Sequence, residues 1–165
     1  MLEPIDWNGI KLFVEFGPGT GAFTRAALSR LPADAALLAL DTSPAFVDHL
    51  RATIDDRRLH AVCAPASNVA AILRKRGLPP ADCILSGLPF STLDPAEADR
   101  TMRAGRAILA PDGMFCAYQM RRAIEPLLKT HIGAIHSAYE WRNIPPCHLY
   151  WTKADPSKVE LGDGR

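Results

Sequence analysis

Apolar runs and helix-like segments alternate along most of the chain. Five short apolar runs are typical of buried strands, and they cover residues 11–16, 36–41, 59–64, 82–86 and 113–119. Between them, apolar positions recur about every three or four residues, as on one face of a helix, at 21–31, 43–54, 66–76 and 94–109. This alternation predicts an α/β fold, in which a parallel sheet is covered by helices on both faces.

Two of the predicted helices begin with recognisable capping residues. Ser43 stands at an N-cap position and is followed by Pro44, which suits the first helical position. Asp94 and Pro95 repeat this arrangement, and Glu97 follows at the spacing of a capping box. These residues place the starts of the second and the fourth helix.

The pattern changes after residue 120. A helical segment at 123–131 is followed by two further strand candidates, 135–142 and 147–153, which are joined by the sequence NIPP. Because this link is too short to contain a crossover helix, the two strands are expected to pair antiparallel as a hairpin at the sheet edge. The two prolines of the link suit such a turn.

Composition limits the classes of protein to which the chain can belong. A length of 165 residues with 48% hydrophobic and 22% charged residues predicts one globular domain, placed at 1–154, and the aperiodic residues 155–165 are expected to form a flexible tail. The net charge of +1 argues against a strong general attraction to nucleic acid or to an anionic membrane. No apolar run approaches the roughly 20 residues of a membrane span, and no signal peptide is recognisable. We therefore expect a cytoplasmic protein.

Cysteine and histidine patterns give no sign of a metal site. The four cysteines are widely spaced without a CxxC pair, which is typical of reduced thiols in a cytosolic protein, most of them buried. The five histidines form neither HxH nor HxxxH, so no metal is predicted.

The sequence VEFGPGTGAF, residues 14–23, places three glycines at alternate positions directly after the first predicted strand. In an open parallel sheet, ligands bind at the carboxyl ends of the strands. Glycines at this place allow a tight turn and the close approach of a ligand, and the following helix points its N-terminus at that ligand. The spacing also satisfies the dinucleotide fingerprint, and Asp41 ends the next strand where a carboxylate can hold two ribose hydroxyls. Glycine spacing alone therefore fits two classes of cofactor.

Glu15 distinguishes between these classes. A carboxylate at the end of the first strand would repel the pyrophosphate of a dinucleotide, but it would attract the ammonium group of an amino-acid cofactor. The pattern E-x-G-x-G-x-G therefore favours S-adenosylmethionine over a nicotinamide cofactor.

On these motifs, residues 11–154 resemble a class I S-adenosylmethionine-dependent methyltransferase, with VEFGPGTG as the first motif and Asp41 as the second. The resemblance implies a Rossmann-like sheet of seven strands, mostly parallel, with helices on both faces and a C-terminal antiparallel β-hairpin. Family members often carry Gly-Asp-Ala after the third strand, where this chain has Ala64, Pro65 and Ala66; recognition of adenine would then rest on the backbone, or on Ser67 or Asn68. The implied cofactor contacts are Glu15, Gly17, Pro18, Gly19, Thr20, Gly21, Asp41, Thr42, Ala64, Pro65 and Ser86.

The stretch CILSGLPFSTL, residues 83–93, together with WRNIPPCHLYW, residues 141–151, narrows the resemblance. Both are similar to bacterial phospholipid N-methyltransferases and, more distantly, to rRNA adenine dimethyltransferases. In the adenine enzymes an Asn or Asp at the position of Gly87 accepts a hydrogen bond from the target amine, and glycine cannot do so. The resemblance therefore implies an amine acceptor such as the headgroup of phosphatidylethanolamine. The implied acceptor site, without a single obligate base, consists of Ser86, Leu88, Pro89, Phe90 and Tyr118.

Alternatives from other classes remain open. An rRNA adenine N6-methyltransferase is disfavoured by Gly87 and by the near-neutral charge, and a nicotinamide-dependent oxidoreductase by Glu15 and by the hairpin. Only residues 1–10 precede the first strand, where lipid enzymes of the family carry an amphipathic segment that covers the cofactor and meets the inner face of the membrane. A binding module without catalysis therefore stays a candidate beside an enzyme that contacts the membrane peripherally and acts on a small-molecule or lipid amine.

Overall fold

The computed structural model describes residues 1–158 and contains an alternating series of strands and helices. The strands are β1 (Leu12–Phe16), β2 (Ala36–Asp41), β3 (Leu59–Cys63), β4 (Ala81–Ser86), β5 (Leu109–Gln119), β6 (Ile135–Glu140) and β7 (Cys147–Lys153). The α-helices of this part of the chain are α1 (Ala22–Leu28), α2 (Pro44–Thr53), α3 (Val69–Arg76), α4 (Pro95–Ile108) and α5 (Glu125–His131). The predicted α/β class is confirmed.

The seven strands form one sheet in the order β3-β2-β1-β4-β5-β7-β6. β1 to β5 run parallel to one another, and β7 pairs antiparallel with both β5 and β6. The predicted hairpin at the edge of a mostly parallel sheet is therefore confirmed. β7 is the inner strand because its apolar residues, among them Leu149 and Tyr150, are buried, whereas most of β6 is exposed.

Each face of the sheet carries its own hydrophobic core, as expected for helices on both sides. Alternate residues of the central strand point in opposite directions, so that Phe16 packs on the face covered by α3, α4 and α5, and Phe13 packs on the face covered by α1 and α2. The first ten residues join this second core through Leu2, Ile5 and Ile10. No helix among residues 1–158 has the length and apolar character needed to cross a bilayer.

The fifth strand starts earlier than predicted and is irregular. The pairing of β4 with β5 passes from Ala81–Leu109 to Cys83–Met114, so that β5 uses more residues than β4 over this stretch. Pro111 lacks an N–H for the ladder, and a Cβ at Gly113 would lie 2.9 Å from the Ala81 carbonyl oxygen. The regular part of β5 therefore begins where the apolar run of the sequence begins.

The predicted caps are realised only in part. The Asp94 carboxylate accepts hydrogen bonds from the backbone N–H groups of Ala96 and Glu97, as expected of an N-cap. Glu97 does not complete a capping box, because its carboxylate is engaged by Ser67 and Arg100. Ser43 occupies the N-cap position of α2 but makes no side-chain capping bond.

The four cysteines are reduced, and the chain turns back to α5 after β7. Cys83, Cys116 and Cys147 are buried, Cys63 is exposed, and all four are free thiols. Residues 155–158 return to the end of α5, where the Asp155 N–H donates to the Ile132 carbonyl. Residues 159–165, the rest of the predicted tail, lie outside the described residues, and the boundary at 154 stays a prediction.

Candidate functional site

The turn between β1 and α1 is built on three glycines with positive φ. Gly17, Gly19 and Gly21 have φ angles of 70°, 55° and 84°, in the left-handed region that favours glycine. A Cβ at Gly19 would have no atom within 4 Å. The turn therefore presents open space above its backbone, where a ligand can approach closely. Pro18 and Thr20 complete the turn, with Pro18 buried and Thr20 exposed.

Asp41, at the end of β2, faces this turn. Its Oδ2 accepts a hydrogen bond of 3.2 Å from the Gly19 N–H, and its Oδ1 accepts one of 2.9 Å from the Ser43 N–H. A carboxylate has about four acceptor sites, so both oxygens retain capacity for the hydroxyl groups of a ligand. The second of these bonds also ties the backbone of Ser43 to the site.

Glu15 lies beneath the turn and is only 2% exposed. The Thr24 hydroxyl on α1 donates to its Oε2 at 2.6 Å. Burial raises the pKa of Glu15 to about 7, the charge of Asp41 adds to that increase, and the Thr24 hydrogen bond opposes it. The carboxyl group is therefore half-ionised near neutral pH, and a nearby cation would stabilise its charged form.

The end of β3 lies beside the end of β2, which carries Asp41. The Ala64 N–H donates to the Asp41 carbonyl at 2.9 Å, and the Pro65 carbonyl accepts from the Asn68 N–H. The Thr42 carbonyl accepts a weak hydrogen bond from the Cys63 thiol. Because the Ser67 hydroxyl donates to Glu97 at 2.7 Å, it is already engaged and is a poor candidate for the recognition of adenine.

The segment after β4 closes the site from the other side. The Gly87 N–H donates to the Phe16 carbonyl at 2.8 Å, which joins this segment to the end of β1. The buried Ser86 hydroxyl accepts from the Leu88 N–H at 3.4 Å. A Cβ at Gly17 would lie 3.0 Å from the Leu88 side chain, so Leu88 packs directly against the glycine turn.

Tyr118 occupies the space beside Gly87. A Cβ at Gly87 would overlap the Tyr118 hydroxyl, so the absence of a side chain at residue 87 makes room for the phenol. The Tyr118 ring also packs on Phe23 of α1, with the ring centroids 4.9 Å apart. Burial raises the pKa of Tyr118, and the charge of Glu15 raises it further. The phenol is therefore neutral at physiological pH and can both donate and accept a hydrogen bond.

Gln119, at the end of β5, holds the Leu88–Phe90 segment. Its Nε2 donates to the Leu88 carbonyl at 2.7 Å, and its Oε1 accepts from the Phe90 N–H at 3.3 Å. The side chain is 5% exposed. A polar residue at the carboxyl end of an apolar strand was the available signal, but only the fold shows that it faces this segment.

A cavity of about 230 Å³ opens at the ends of β4 and β5. Of the predicted acceptor residues, Pro89 and Tyr118 line it, whereas Phe90 is buried in the core and anchors the segment from behind. Sequence reasoning missed the contribution of the hairpin turn to its wall. The full lining comprises Gly87, Pro89, Ser91, Tyr118, Gln119, Met120, Asn143, Pro145 and Cys147.

The structure thus places the predicted residues in two adjoining parts, a glycine turn with carboxylates and a cavity with a phenol. Gly87 adjoins both parts, since it lines the cavity and a Cβ there would lie 3.1 Å from the Gly17 carbonyl oxygen. Within residues 1–158, His, Cys, Asp and Glu side chains form no group of three that could hold a metal ion. The arrangement can hold a cationic nucleoside beside a second substrate.

Comparison with known sequences agrees with this arrangement. Residues 14–115, more than half of the chain, match the family described as a methyltransferase domain. The chain is 29% identical over 152 residues to an ornithine lipid N-methyltransferase of Singulisphaera acidiphila, a match that covers 90% of this chain and 79% of that protein. It is also 35% identical over 105 residues to a ribosomal RNA small subunit methyltransferase H of Azoarcus sp.. That match covers 62% of this chain, which spans about a third (33%) of the Azoarcus protein.

Solved structures share the fold at low sequence identity. The N-methyltransferase NodS from Bradyrhizobium japonicum, in complex with S-adenosylhomocysteine, matches with a TM-score of 0.72 and 14% identity over 88% of this chain and 78% of that one. A putative rRNA methylase from Clostridium thermocellum matches with a TM-score of 0.67 and 13% identity, covering 88% of this chain and 87% of that one.

We expect the ionised, buried Glu15 side chain to lower the free energy of unfolding, and the Glu15→Gln variant tests this. The unfolded side chain ionises near its ordinary pKa of 4.5 and the folded one near 7, so the stability of the wild type falls as pH rises between these values. Glutamine carries no charge and keeps an oxygen that accepts from Thr24. We expect the variant to gain about 1–3 kcal/mol in free energy of unfolding at pH 8, and little at pH 4.

Urea denaturation at the two pH values measures this difference. Glu3→Gln is the matched control, because Glu3 has an exposed side chain and its replacement should leave stability unchanged at both. Equal stability of wild type and Glu15→Gln at pH 8 would show that the carboxyl group is not desolvated as described.

Proposed function

The chain belongs to the methyltransferase domain family, is an S-adenosylmethionine-dependent methyltransferase, and, we propose, transfers the methyl group to the amine of a lipid headgroup. The observation that carries this proposal is the pairing of Gly87 with the Tyr118 hydroxyl at the cavity. The similarity over most of the chain to an ornithine lipid N-methyltransferase supports it. Headgroups of the phosphatidylethanolamine or ornithine lipid type carry the amine that such a site requires.

The residues of the glycine turn fit S-adenosylmethionine. The open space above Gly19 admits the cofactor against the backbone, and we assign its ribose hydroxyls to Asp41 and its ammonium group to Glu15. Thr42, Ala64, Pro65 and Ser86 complete the proposed contacts. When bound, the cofactor supplies an electrophilic methyl group on a positively charged sulfur.

The chain's own contribution to the reaction is alignment and the exclusion of water. Leu88 packs its apolar side chain on Gly17 of the glycine turn, and the next residue, Pro89, lines the cavity. Gln119 fixes the backbone of this segment through two hydrogen bonds, so that the cavity wall formed by Pro89 keeps its position. These contacts are proposed to keep the cofactor and the acceptor aligned for methyl transfer.

Tyr118 is proposed to orient the acceptor amine. A lipid amine with an ordinary pKa near that of lysine, about 10.4, is mostly protonated at neutral pH, and desolvation in the cavity favours its neutral form. The Tyr118 oxygen can then accept an N–H hydrogen bond and leave the nitrogen lone pair free. Because burial raises the phenol's pKa, Tyr118 acts here as a hydrogen-bonding group and not as a base.

Methylation of ribosomal RNA is the second candidate. It is favoured by the match to the Azoarcus ribosomal RNA methyltransferase. Against it stands Gly87, where no side-chain amide can accept a hydrogen bond from a base amine, together with the net charge of +1. RNA is therefore included as an acceptor in the experiment below.

Replacement of Asp41 should weaken cofactor binding selectively. Asp41→Ala removes the charged acceptor beside Gly19, and we expect the affinity for S-adenosylhomocysteine to fall at least about tenfold, or about 1.4 kcal/mol. Isothermal calorimetry measures it, with Asp48→Ala on the exposed side of α2 as the matched control. NADH should give no binding heat, and tight NADH binding would refute the assignment of the glycine turn.

The acceptor is tested directly by transfer of a labelled methyl group. We expect incorporation into vesicles that contain phosphatidylethanolamine or ornithine lipid, and none into short ribosomal RNA fragments. Soluble alkylamines should be slow acceptors, because they lack the apolar part of the lipid. Transfer to RNA alone would favour the second candidate, and binding of S-adenosylhomocysteine without transfer to any acceptor would indicate a non-catalytic module.

The role of Tyr118 is tested by Tyr118→Phe, which keeps the ring on Phe23 and removes only the hydroxyl. We expect kcat to fall about tenfold, in the range of one lost hydrogen bond to the reacting amine, with unchanged affinity for S-adenosylhomocysteine. Tyr139→Phe is the matched control, since Tyr139 is exposed on β6 and does not line the cavity. An unaltered kcat in Tyr118→Phe would remove the phenol from the mechanism.

A further inference from the structure

Large hydrophobic side chains are exposed around one end of the sheet. Met120 is 66% exposed, Trp141 is 69% exposed and Ile144 is 96% exposed. Met120 follows β5, and the other two lie in the turn between β6 and β7. We name these three residues the hairpin rim. Burial of apolar side chains of this size is favourable. Their exposure together at one place therefore indicates a surface that binds a partner.

The hairpin rim borders the proposed acceptor cavity. Met120 itself lines the cavity, and so do Asn143 and Pro145, on either side of Ile144. β6 runs in the same direction as β5, because both are antiparallel to β7. The turn after β6 therefore lies at the carboxyl edge of the sheet, where the glycine turn also lies. A surface in contact with the hairpin rim would therefore lie next to the opening of the cavity.

Arginines lie next to the apolar residues of the rim. The Arg142 guanidinium stacks over the Trp141 ring at 5.2 Å, and Arg121 follows Met120 on the exposed surface. Neither makes an ion pair within residues 1–158, whereas Arg122 pairs with Glu125 at 2.6 Å. Glu140, the other nearby carboxylate, accepts a hydrogen bond from the Arg142 backbone N–H. The rim thus combines apolar side chains with neighbouring cationic side chains that can bind anionic groups.

This combination matches the interfacial layer of a membrane with anionic phospholipids. Tryptophan favours the level of the lipid headgroups, an aliphatic tip such as Ile144 favours the acyl boundary, and arginines attract anionic headgroups. Single-stranded RNA would use the ring of Trp141 for stacking, but it offers no apolar partner for Ile144. The apolar residues of the first ten positions are not available for this contact, because Leu2, Ile5 and Ile10 are buried in the core.

We propose that the hairpin rim inserts into the surface of an anionic phospholipid bilayer and so presents the acceptor cavity to the lipid headgroups. The inference deepens the proposed function and rests on it for the identity of the cavity as the lipid site. The insertion itself requires only the exposed rim and its arginines.

Vesicle cosedimentation tests the insertion without any methyl acceptor. The vesicles consist of phosphatidylcholine alone or of phosphatidylcholine with phosphatidylglycerol, neither of which carries a free amine. We expect the wild type to bind the anionic vesicles more tightly, and salt to weaken this binding. Ile144→Asp and Trp141→Ala should each reduce the binding about tenfold or more, because each removes an inserted apolar side chain.

Phe46→Asp is the matched control. Phe46 is also an exposed apolar residue, at 41%, but it lies on α2 beyond β2, and four strands separate β2 from β6. β2 and β6 are thus five strand spacings apart, or about 24 Å at about 4.8 Å each, so the change should not affect vesicle binding. A shift of tryptophan fluorescence to shorter wavelength on vesicle addition, lost in Trp141→Phe, gives a second readout.

The outcomes separate this inference from the proposed function. Insertion through the rim would be refuted if the wild type did not bind anionic vesicles, or if the rim variants bound them as well as the wild type. This holds even if a lipid amine in detergent is methylated. Insertion would also be refuted if the wild type bound RNA but no vesicles, and if Trp141→Ala lost the RNA binding; RNA would then be the partner of the rim. Rim-dependent vesicle binding without methylation of any lipid amine would support the inference and refute the proposed function.

Discussion

The site depends on two backbone hydrogen bonds that continue the sheet beyond the end of its central strand. The Gly17 N–H donates to the Leu40 carbonyl at 2.9 Å, and the Gly87 N–H donates to the Phe16 carbonyl at 2.8 Å. They bind the first residue of the glycine turn to β2 and the first residue after β4 to β1. The carboxylate of Asp41 and the wall of the cavity are thereby held on opposite sides of one turn.

The two carboxyl groups beside the glycine turn favour a cationic ligand, and they lower the stability of the protein without that ligand. Burial raises the pKa of Glu15 to about 7, and the neighbouring charge of Asp41 adds to that increase. Neither carboxyl group has an ion-pair partner among residues 1–158. A positively charged ligand would lower the pKa of Glu15 and relieve the repulsion between the two carboxylates. The same charge acts on the phenol of Tyr118, so both parts of the site respond to one buried group.

Much of this fold could be predicted from the sequence, because local patterns report local structure. The apolar runs located the strands, and the short NIPP link required a hairpin. Interactions between distant parts of the chain could not be predicted in this way. Phe90 lies in the core, and Gln119 holds the segment beside it, only because β5 pairs with β4 at that register. Glu97 likewise fits a capping box in sequence, but Ser67 and Arg100 take its oxygens in the fold.

The packing of Tyr118 against Gly87 couples two residues of the cavity. An asparagine at position 87, as in the adenine enzymes that this chain resembles, would need the space that the phenol fills. The phenol is itself held by Phe23 of α1, so it cannot move aside without disturbing the helix that follows the glycine turn. A side-chain amide at position 87 would therefore require replacement of Tyr118 together with Gly87, and not of Gly87 alone.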